Sequence, residues 1–409
     1  MNKHKIAPAR SKFTILRQIC NYIPPFLVPQ IARATGAEDK ARTFTPWSHV
    51  VSLLFGQLSH CLGLNDLCDA LQLHFGALFS VRGATPPSRN GLSHANRERP
   101  AAMAEQLFWQ VLDHLGQKTP GFIKGRGRGA AFRFKLPIHV VDTTVMELVA
   151  NCMDWAQHRR RKAAAKAHMR LNLQSLLPNF VIIDTAREND NKRARELCAG
   201  INSGEIALFD KGYVDFEHLR DLGERGVWWV TRAKENMAYE VIKQMPQSKD
   251  DKIIQDEIIQ LDNPKQPAPE FMRRVVALVE VDGQEREMMF LTNNLTWSPR
   301  SVADLYRCRW QIEVFFKQIK QTLQLADFLG HSANAVRWQV WMALLVYVLL
   351  RYLSYISKWG HSFTRLFTIL RAVLWAKFDL RGLLDCYGTA KSKFRNLAQP
   401  DQAYFPGFL

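Results

Sequence analysis

A mixed α/β sheet between two helical regions is predicted by three features of the chain. Apolar runs at residues 138–145, 179–184, 206–210 and 227–231 have the length and flanks of short buried strands. Helical stretches at residues 193–198 and 216–222 separate the later ones, so strands come first and then alternate with helices, as in a layered α/β core. On both sides of this stretch, apolar residues recur at helical rather than strand spacing.

In the first region Trp47, Val50, Val51, Leu54 and Leu58 share one helical face, and Leu64, Leu67 and Leu71 continue the pattern after Gly63. Residues 1–117 are therefore expected to form an N-terminal helical domain. Within it, the polar and basic stretch 88–99 reads either as a DNA-end-binding element or as a solvated loop leading into a capped helix; it carries no specific helix-turn-helix fingerprint.

Residues 118–135 are expected to be a basic, glycine-rich linker. From Lys124 the chain runs Gly125-Arg126-Gly127-Arg128-Gly129 and on through Arg133 and Lys135 without an acid, suited to a phosphate backbone or to a flexible tether. Residues 136–235 would form the first part of the core and 236–297 a β-rich insertion, its runs 273–281 and 287–292 separated by Gly283. The second part of the core would follow at 298–359, and 360–409 would be a C-terminal helical region.

With 55 basic and 38 acidic residues the net charge is 55 − 38 = +17, which favours a polyanionic partner, nucleic acid first. The seven cysteines are odd in number and never occur as Cys-x2-Cys, which disfavours zinc fingers and a disulfide scaffold; reduced, mostly buried thiols are expected. The start Met1-Asn2-Lys3-His4-Lys5 lacks an apolar signal region, and a cytoplasmic location is expected. Between Arg337 and Arg351 lie 351 − 337 − 1 = 13 uncharged residues, fewer than the ~20 that span a bilayer, so a buried helix and no membrane role are expected.

Tyr306, Arg309, Glu313 and Lys320 stand at offsets of 0, 3, 7 and 14, within about 60° of one helical face at ~100° per residue. Ser298 can cap this helix, Pro299 suits its first turn, and Ser301 and Asp304 stand at capping-box spacing. Leu305, Ile312, Phe316, Ile319 and Leu323 form an apolar stripe beside the quartet, placing Glu313 at the margin of a core. Upstream, Asp142 and Asp210 each follow an apolar strand, Asp210 immediately before Lys211-Gly212-Tyr213. Asp at a strand end is also an ordinary turn residue, and Asp184, Asp190, Glu147 and Asp215 are local competitors.

The spacing Tyr-x2-Arg-x3-Glu-x6-Lys strongly resembles the YREK signature of the DDE transposases of the insertion sequence 4 family. Asp142-Thr143-Thr144 and Asp210-Lys211-Gly212-Tyr213 resemble the contexts of that family's two aspartates, and residues 166–172, 231–234 and 330–335 are also family-like. Asn172 stands where many relatives have Asp, and Lys211 where many have Arg.

The resemblance implies a ribonuclease-H-like core interrupted by the β-rich insertion, with Asp142, Asp210 and Glu313 as catalytic and metal-holding residues for two Mg²⁺ ions, Mn²⁺ being a substitute. It also implies DNA contacts by Tyr306, Arg309, Lys320, Arg232 and Lys211; Trp297 is either a stacking group for a base or a staple of the helix entry to the core. The function implied is cut-and-paste transposition: binding of double-stranded DNA at the element's terminal inverted repeats, strand cleavage and transfer to target DNA, with a homodimer synapsing two ends. The alternatives are a ribonuclease-H-like DNA nuclease and a catalytically idle DNA-binding relative.

Overall fold

The computed structural model describes residues 8–38, 43–125, 130–148, 157–159, 162–185, 190–234, 237–262, 267–281, 283–323 and 329–387. The chain divides into two compact units, one of residues 1–123, 146–164 and 317–399, the other of residues 124–145, 165–316 and 400–409.

The first unit is mainly helical. Its N-terminal helices are α1 (Ile15–Cys20), α2 (Leu27–Ala34), α3 (Pro46–Ser59), α4 (Leu64–Leu73), α5 (Phe75–Phe79), α6 (Arg89–Glu98), α7 (Ala102–Lys118) and α8 (Pro120–Lys124). The basic stretch expected as an end-binding element or a loop is thus itself helix α6, because the Ser88 hydroxyl accepts from the Gly91 amide and Leu92, Ala95 and Asn96 face inward. Arg89, His94 and Arg97 remain exposed.

The second unit contains α9 (Ala130–Arg133), then β1 (Ile138–Leu148) and β3 (Lys162–Asn172), which both begin or end in the first unit, and β4 (Leu177–Thr185). The short β2 (Gln157–Arg159) pairs with the start of β3 inside the first unit. There follow α10 (Asp190–Cys198), β5 (Ile206–Phe209), α11 (Phe216–Glu224), β6 (Trp228–Arg232), β7 (Tyr239–Gln244), β8 (Ile253–Leu261), β9 (Met272–Val281), β10 (Gln284–Thr292), α12 (Pro299–Cys308) and α13 (Trp310–Lys317). Back in the first unit come α14 (Ala333–Ile356), α15 (Phe363–Ala372) and α16 (Leu380–Tyr387).

The sheet runs β3-β1-β5-β6-β10-β9-β8-β7, with β4 antiparallel to β3. Strands β1, β5 and β6 are parallel, and β6 then pairs antiparallel with β10. This is the mixed α/β sheet that the sequence predicts. Residues 138–141 of β1, all of β5 and the middle of β6 are buried, so these stretches lack polar alternation and read as continuous apolar runs. The β-rich stretch is not a sheet of its own: β7 to β10 extend the core sheet through the β10–β6 ladder. The glycine-rich basic segment is not open at Gly125 either, since its φ is +75° and a Cβ there would meet the Gln174 carbonyl oxygen at 1.9 Å.

Helix α14 forms the core of the first unit. At 24 residues it is long and apolar enough to cross a membrane by length and composition, because it extends past Arg337 and Arg351, yet 78% of its most apolar window is buried in the protein. His49 of α3 and Phe108 of α7 pack on Trp338 and Trp341 of α14, and Asn334 donates to the carbonyls of Asn96 and Arg99 at 2.8 and 2.7 Å. Among the described residues, Cys20, Cys68, Cys198 and Cys308 are buried, Cys61 and Cys386 are half-buried, and none of them is in a disulfide.

Two buried ion pairs stiffen the extended part of the sheet. Arg273 on β9 makes a two-pronged contact with Asp256 on β8 at 2.7 and 2.6 Å, and Arg274 donates to Glu257 at 2.7 Å. Arg273→Leu leaves the Asp256 carboxylate buried and unpaired, so it is expected to lower unfolding free energy by about 3–5 kcal/mol. Arg273→Leu/Asp256→Leu should recover most of that loss in urea denaturation. Losses that simply add in the double variant would show that the two side chains are not coupled.

Candidate active site

Val141 of β1 and Phe209 of β5 are register partners, as are Phe209 and Thr231 of β6. One residue further along stand Asp142 within β1, Asp210 just past the end of β5 and Arg232 at the end of β6, forming a row across three neighbouring strands whose ordinary spacing is about 4.8 Å. Asp142 lies within β1 rather than at its end, but it marks the place where the parallel pairing with β5 stops.

The third acid arrives from the helices. Ser298 caps α12, its hydroxyl accepting from the Ser301 amide at 3.1 Å, and Pro299 occupies the first turn, as the sequence predicts. The capping box does not form, because Asp304 is buried among Arg133, Arg300 and Arg307 at 3.2–3.3 Å.

The single continuous helix expected through the quartet is also interrupted. Arg309 separates α12 from α13, with short i→i+3 bonds from the Arg309 amide to Tyr306 and from the Ile312 amide to Arg309. A π-helical turn follows at Gln318–Thr322. Lys320 lies on that turn, in the first unit; Tyr306, Arg309 and Glu313 belong to the second. The apolar stripe is buried throughout, so the α-helical face that sequence periodicity describes is kept locally.

Two hydrogen bonds join the helical residues to the strand row, and a third links Arg309 to Glu313. The Tyr306 hydroxyl donates to Asp210 Oδ1 at 3.0 Å. The Arg309 guanidinium donates through one nitrogen to Asp142 Oδ2 at 2.9 Å and through the other to Glu313 Oε1 at 2.8 Å. Side-chain exposure is 9% for Arg309, 17% for Asp142 and 48% for Glu313, so the bridge runs from a buried acid to one facing solvent.

The Asp142 carboxyl is pushed up to about 6, by burial first and then by Asp210 and Glu313, against Arg309 and the Thr143 amide. Burial disfavours the charge on Arg309, but Tyr306, Asp142, Asp210 and Glu313 together raise its pKa above the ordinary value. Tyr306 is raised as well, by burial and by Asp210.

Around the row, Thr143 Oγ1 bonds to His168 Nδ1 at 2.8 Å and to the Tyr213 hydroxyl, and the Thr143 amide donates to Asp142 Oδ1 at 2.8 Å. Of these supporting residues, Thr143 and Tyr213 stand inside the two aspartate motifs, and His168 lies in the family-like stretch 166–172 and is a candidate phosphate or metal neighbour from sequence. Lys211 is exposed just beyond Asp210, and Arg232 is partly buried in the row.

Trp297 does not stand beside the acids. It packs against Phe134 and Trp228 at 6.0 Å, and Trp228 begins β6 whereas Arg232 ends it, about 13 Å along the strand. It closes the helix entry against the sheet. His139 likewise serves the fold, bonding to Glu205 at 3.1 Å near the start of β1.

The donor set is three carboxylates without sulfur, which suits a hard divalent cation such as Mg²⁺. Among the described residues, however, no group of three His, Cys, Asp or Glu side chains is disposed to hold a metal ion. The Arg309 guanidinium spans Asp142 and Glu313 instead.

A family model for the transposase DDE domain matches residues 133–349, just over half of the chain, and one for a domain of unknown function matches residues 11–80. The chain is 29% identical over 304 residues to the candidate transposase y4zB of Sinorhizobium fredii, covering 73% of this chain and 80% of that protein. It is 26% identical over 355 residues to the candidate transposase of insertion sequence element IS5377 of Geobacillus stearothermophilus, covering 86% of each. Transposase InsG of insertion sequence element IS4 of Escherichia coli is 25% identical over 193 residues, 44% of this chain and 42% of InsG. A solved structure of the piggyBac transposase synaptic complex with hairpin DNA is similar at a TM-score of 0.47 and 10% identity, covering 93% of this chain and 84% of that one.

The raised Asp142 pKa has a consequence for stability. A carboxyl whose folded pKa lies above its unfolded value contributes most at low pH and loses that contribution as pH rises through about 6. Asp142→Asn, uncharged throughout, is therefore expected to be more stable than the parent at pH 8 in EDTA, on the order of 1–2 kcal/mol. The gain should at least halve at pH 4.5 in urea unfolding. A less stable Asn variant at pH 8 would contradict the assignment of a strained, buried charge.

Proposed function

Since the chain belongs to the DDE transposases of the insertion sequence 4 family, we propose that it binds the ends of an insertion sequence and carries out cut-and-paste transposition with Asp142, Asp210 and Glu313 as its catalytic carboxylates. The observation that carries this reading is Asp142 on β1 and Asp210 just past the end of the adjacent parallel strand β5, with Arg309 linking Asp142 to Glu313.

The reaction class is phosphodiester hydrolysis at the element end, freeing a 3′-hydroxyl, followed by attack of that hydroxyl on target DNA. Mg²⁺, with Mn²⁺ as substitute, would be held by Asp142, Asp210 and Glu313 and would supply Lewis acidity and a lowered pKa of bound water. Tyr306 orients Asp210 through its hydroxyl, and the Thr143 amide orients Asp142. Arg309 presents a fork of donors suited to a terminal phosphate, while Lys211, Arg232 and Lys320 add positive charge for the strand. These contacts position DNA more than they read its sequence. The net charge of +17 supplies the sequence-independent part of the affinity. Two ends must be brought together, so a homodimer is the expected working form.

Glu313→Gln keeps the helix and most of the side-chain volume while removing a charge. It is expected to bind end DNA within about threefold of the parent but to cut it at least about a hundredfold more slowly with Mg²⁺. Gel-shift and cleavage assays on linear DNA carrying the element's ends measure both. Cutting at the parental rate would remove Glu313 from the site.

A further inference from the structure

We propose that Arg309 is an internal counter-cation of the carboxylate site, competing with divalent cations for Asp142 and Glu313 and becoming available to DNA phosphate only when a cation displaces it. The inference rests on the functional reading above and deepens it.

Four observations carry it. A single guanidinium bridges acids from two different elements, Asp142 on β1 at 2.9 Å and Glu313 on α13 at 2.8 Å. Its two terminal nitrogens are engaged by these acids, its Cζ lies 5.5 Å from the Tyr306 ring centroid, and its buried Nε has no hydrogen-bond partner among the described residues. In this arrangement the described residues contain no set of acids disposed to hold a metal. Finally, Glu313 is about half exposed, so it can move toward an incoming cation without opening the core.

The chemistry is an exchange of cations. A guanidinium carries one positive charge and neutralises one of two acids, whereas a divalent cation can neutralise both at closer range. Once the acids are taken up, two N–H groups of Arg309 are left without acceptors in a largely buried place, and a phosphate oxygen is the natural replacement. Cation binding and DNA binding are thereby coupled through one side chain.

The test is Mn²⁺ binding to the full chain without DNA at pH 8, followed by electron paramagnetic resonance of free Mn²⁺. The parent is compared with Arg309→Gln, Arg309→Lys and the control Asp142→Asn/Glu313→Gln. Arg309→Gln is expected to bind Mn²⁺ at least about tenfold more tightly than the parent, since a positive charge beside the site is gone. Arg309→Lys should fall between the two, because an ammonium keeps the charge but cannot bridge as a fork. If Arg309→Gln fails to fold by circular dichroism, tighter binding by Arg309→Lys than by the parent still decides in favour.

Parent binding that the double-acid control abolishes, with Arg309 variants equal to or weaker than the parent, overturns the counter-cation role and leaves the carboxylate assignment standing. Absence of saturable binding by the parent and by every Arg309 variant, or binding that survives in the double-acid control, overturns both.

Discussion

One guanidinium holds together acids that the chain delivers from opposite directions, and the site depends on it. Asp142 comes from a strand near the start of the second unit and Glu313 from a helix near its end, 171 residues later (313 − 142). Left alone, the Asp142 carboxylate would be a poorly solvated charge near a second acid, which is why its proton affinity is raised. Arg309 offsets that cost from inside the protein, and Tyr306 does the same for Asp210 with a neutral donor.

The row beneath them is rigid for a separate reason. Three parallel strands with both faces covered leave Asp142, Asp210 and Arg232 little freedom to slip, because a one-residue shift would turn a buried apolar set toward solvent. The sheet also continues without a break into β10, β9, β8 and β7, where buried Arg273–Asp256 and Arg274–Glu257 pairs clamp adjacent strands. Arg273 additionally donates to the Leu295 and Trp297 carbonyls, tying the sheet to the segment that enters α12. The insertion strands thereby support the helix that carries Tyr306.

The first unit is organised around α14, whose apolar length is accounted for by burial among helices. Asn334, near its start, satisfies two carbonyls at the end of α6 and accepts from the Ala101 amide at 2.9 Å. One side chain thus caps the turn between α6 and α7, a use of Asn that needs no ligand to explain it.

Much of the chain was legible before folding. Continuous apolar runs marked the buried strands, and the Ser298-Pro299 start marked α12. The acids could be singled out only by their motif contexts, since an Asp after a strand is common and the competitors Asp184 and Asp215 have identical chemistry. In the fold Asp184 is held by Arg193 and Asp215 caps α11, ordinary structural uses.

What periodicity could not show is anything that depends on contacts distant in sequence. The break at Arg309 and the π-turn at Gln318–Thr322 disturb a pattern that still scores as one helix, because the apolar stripe stays buried across both. Trp297 sat beside the quartet in sequence but packs at the far end of β6. The pairing of Arg309 with Asp142 spans 167 residues (309 − 142), and no local rule of spacing or propensity reaches that far. Local chemistry chose the residues; long-range packing chose their partners.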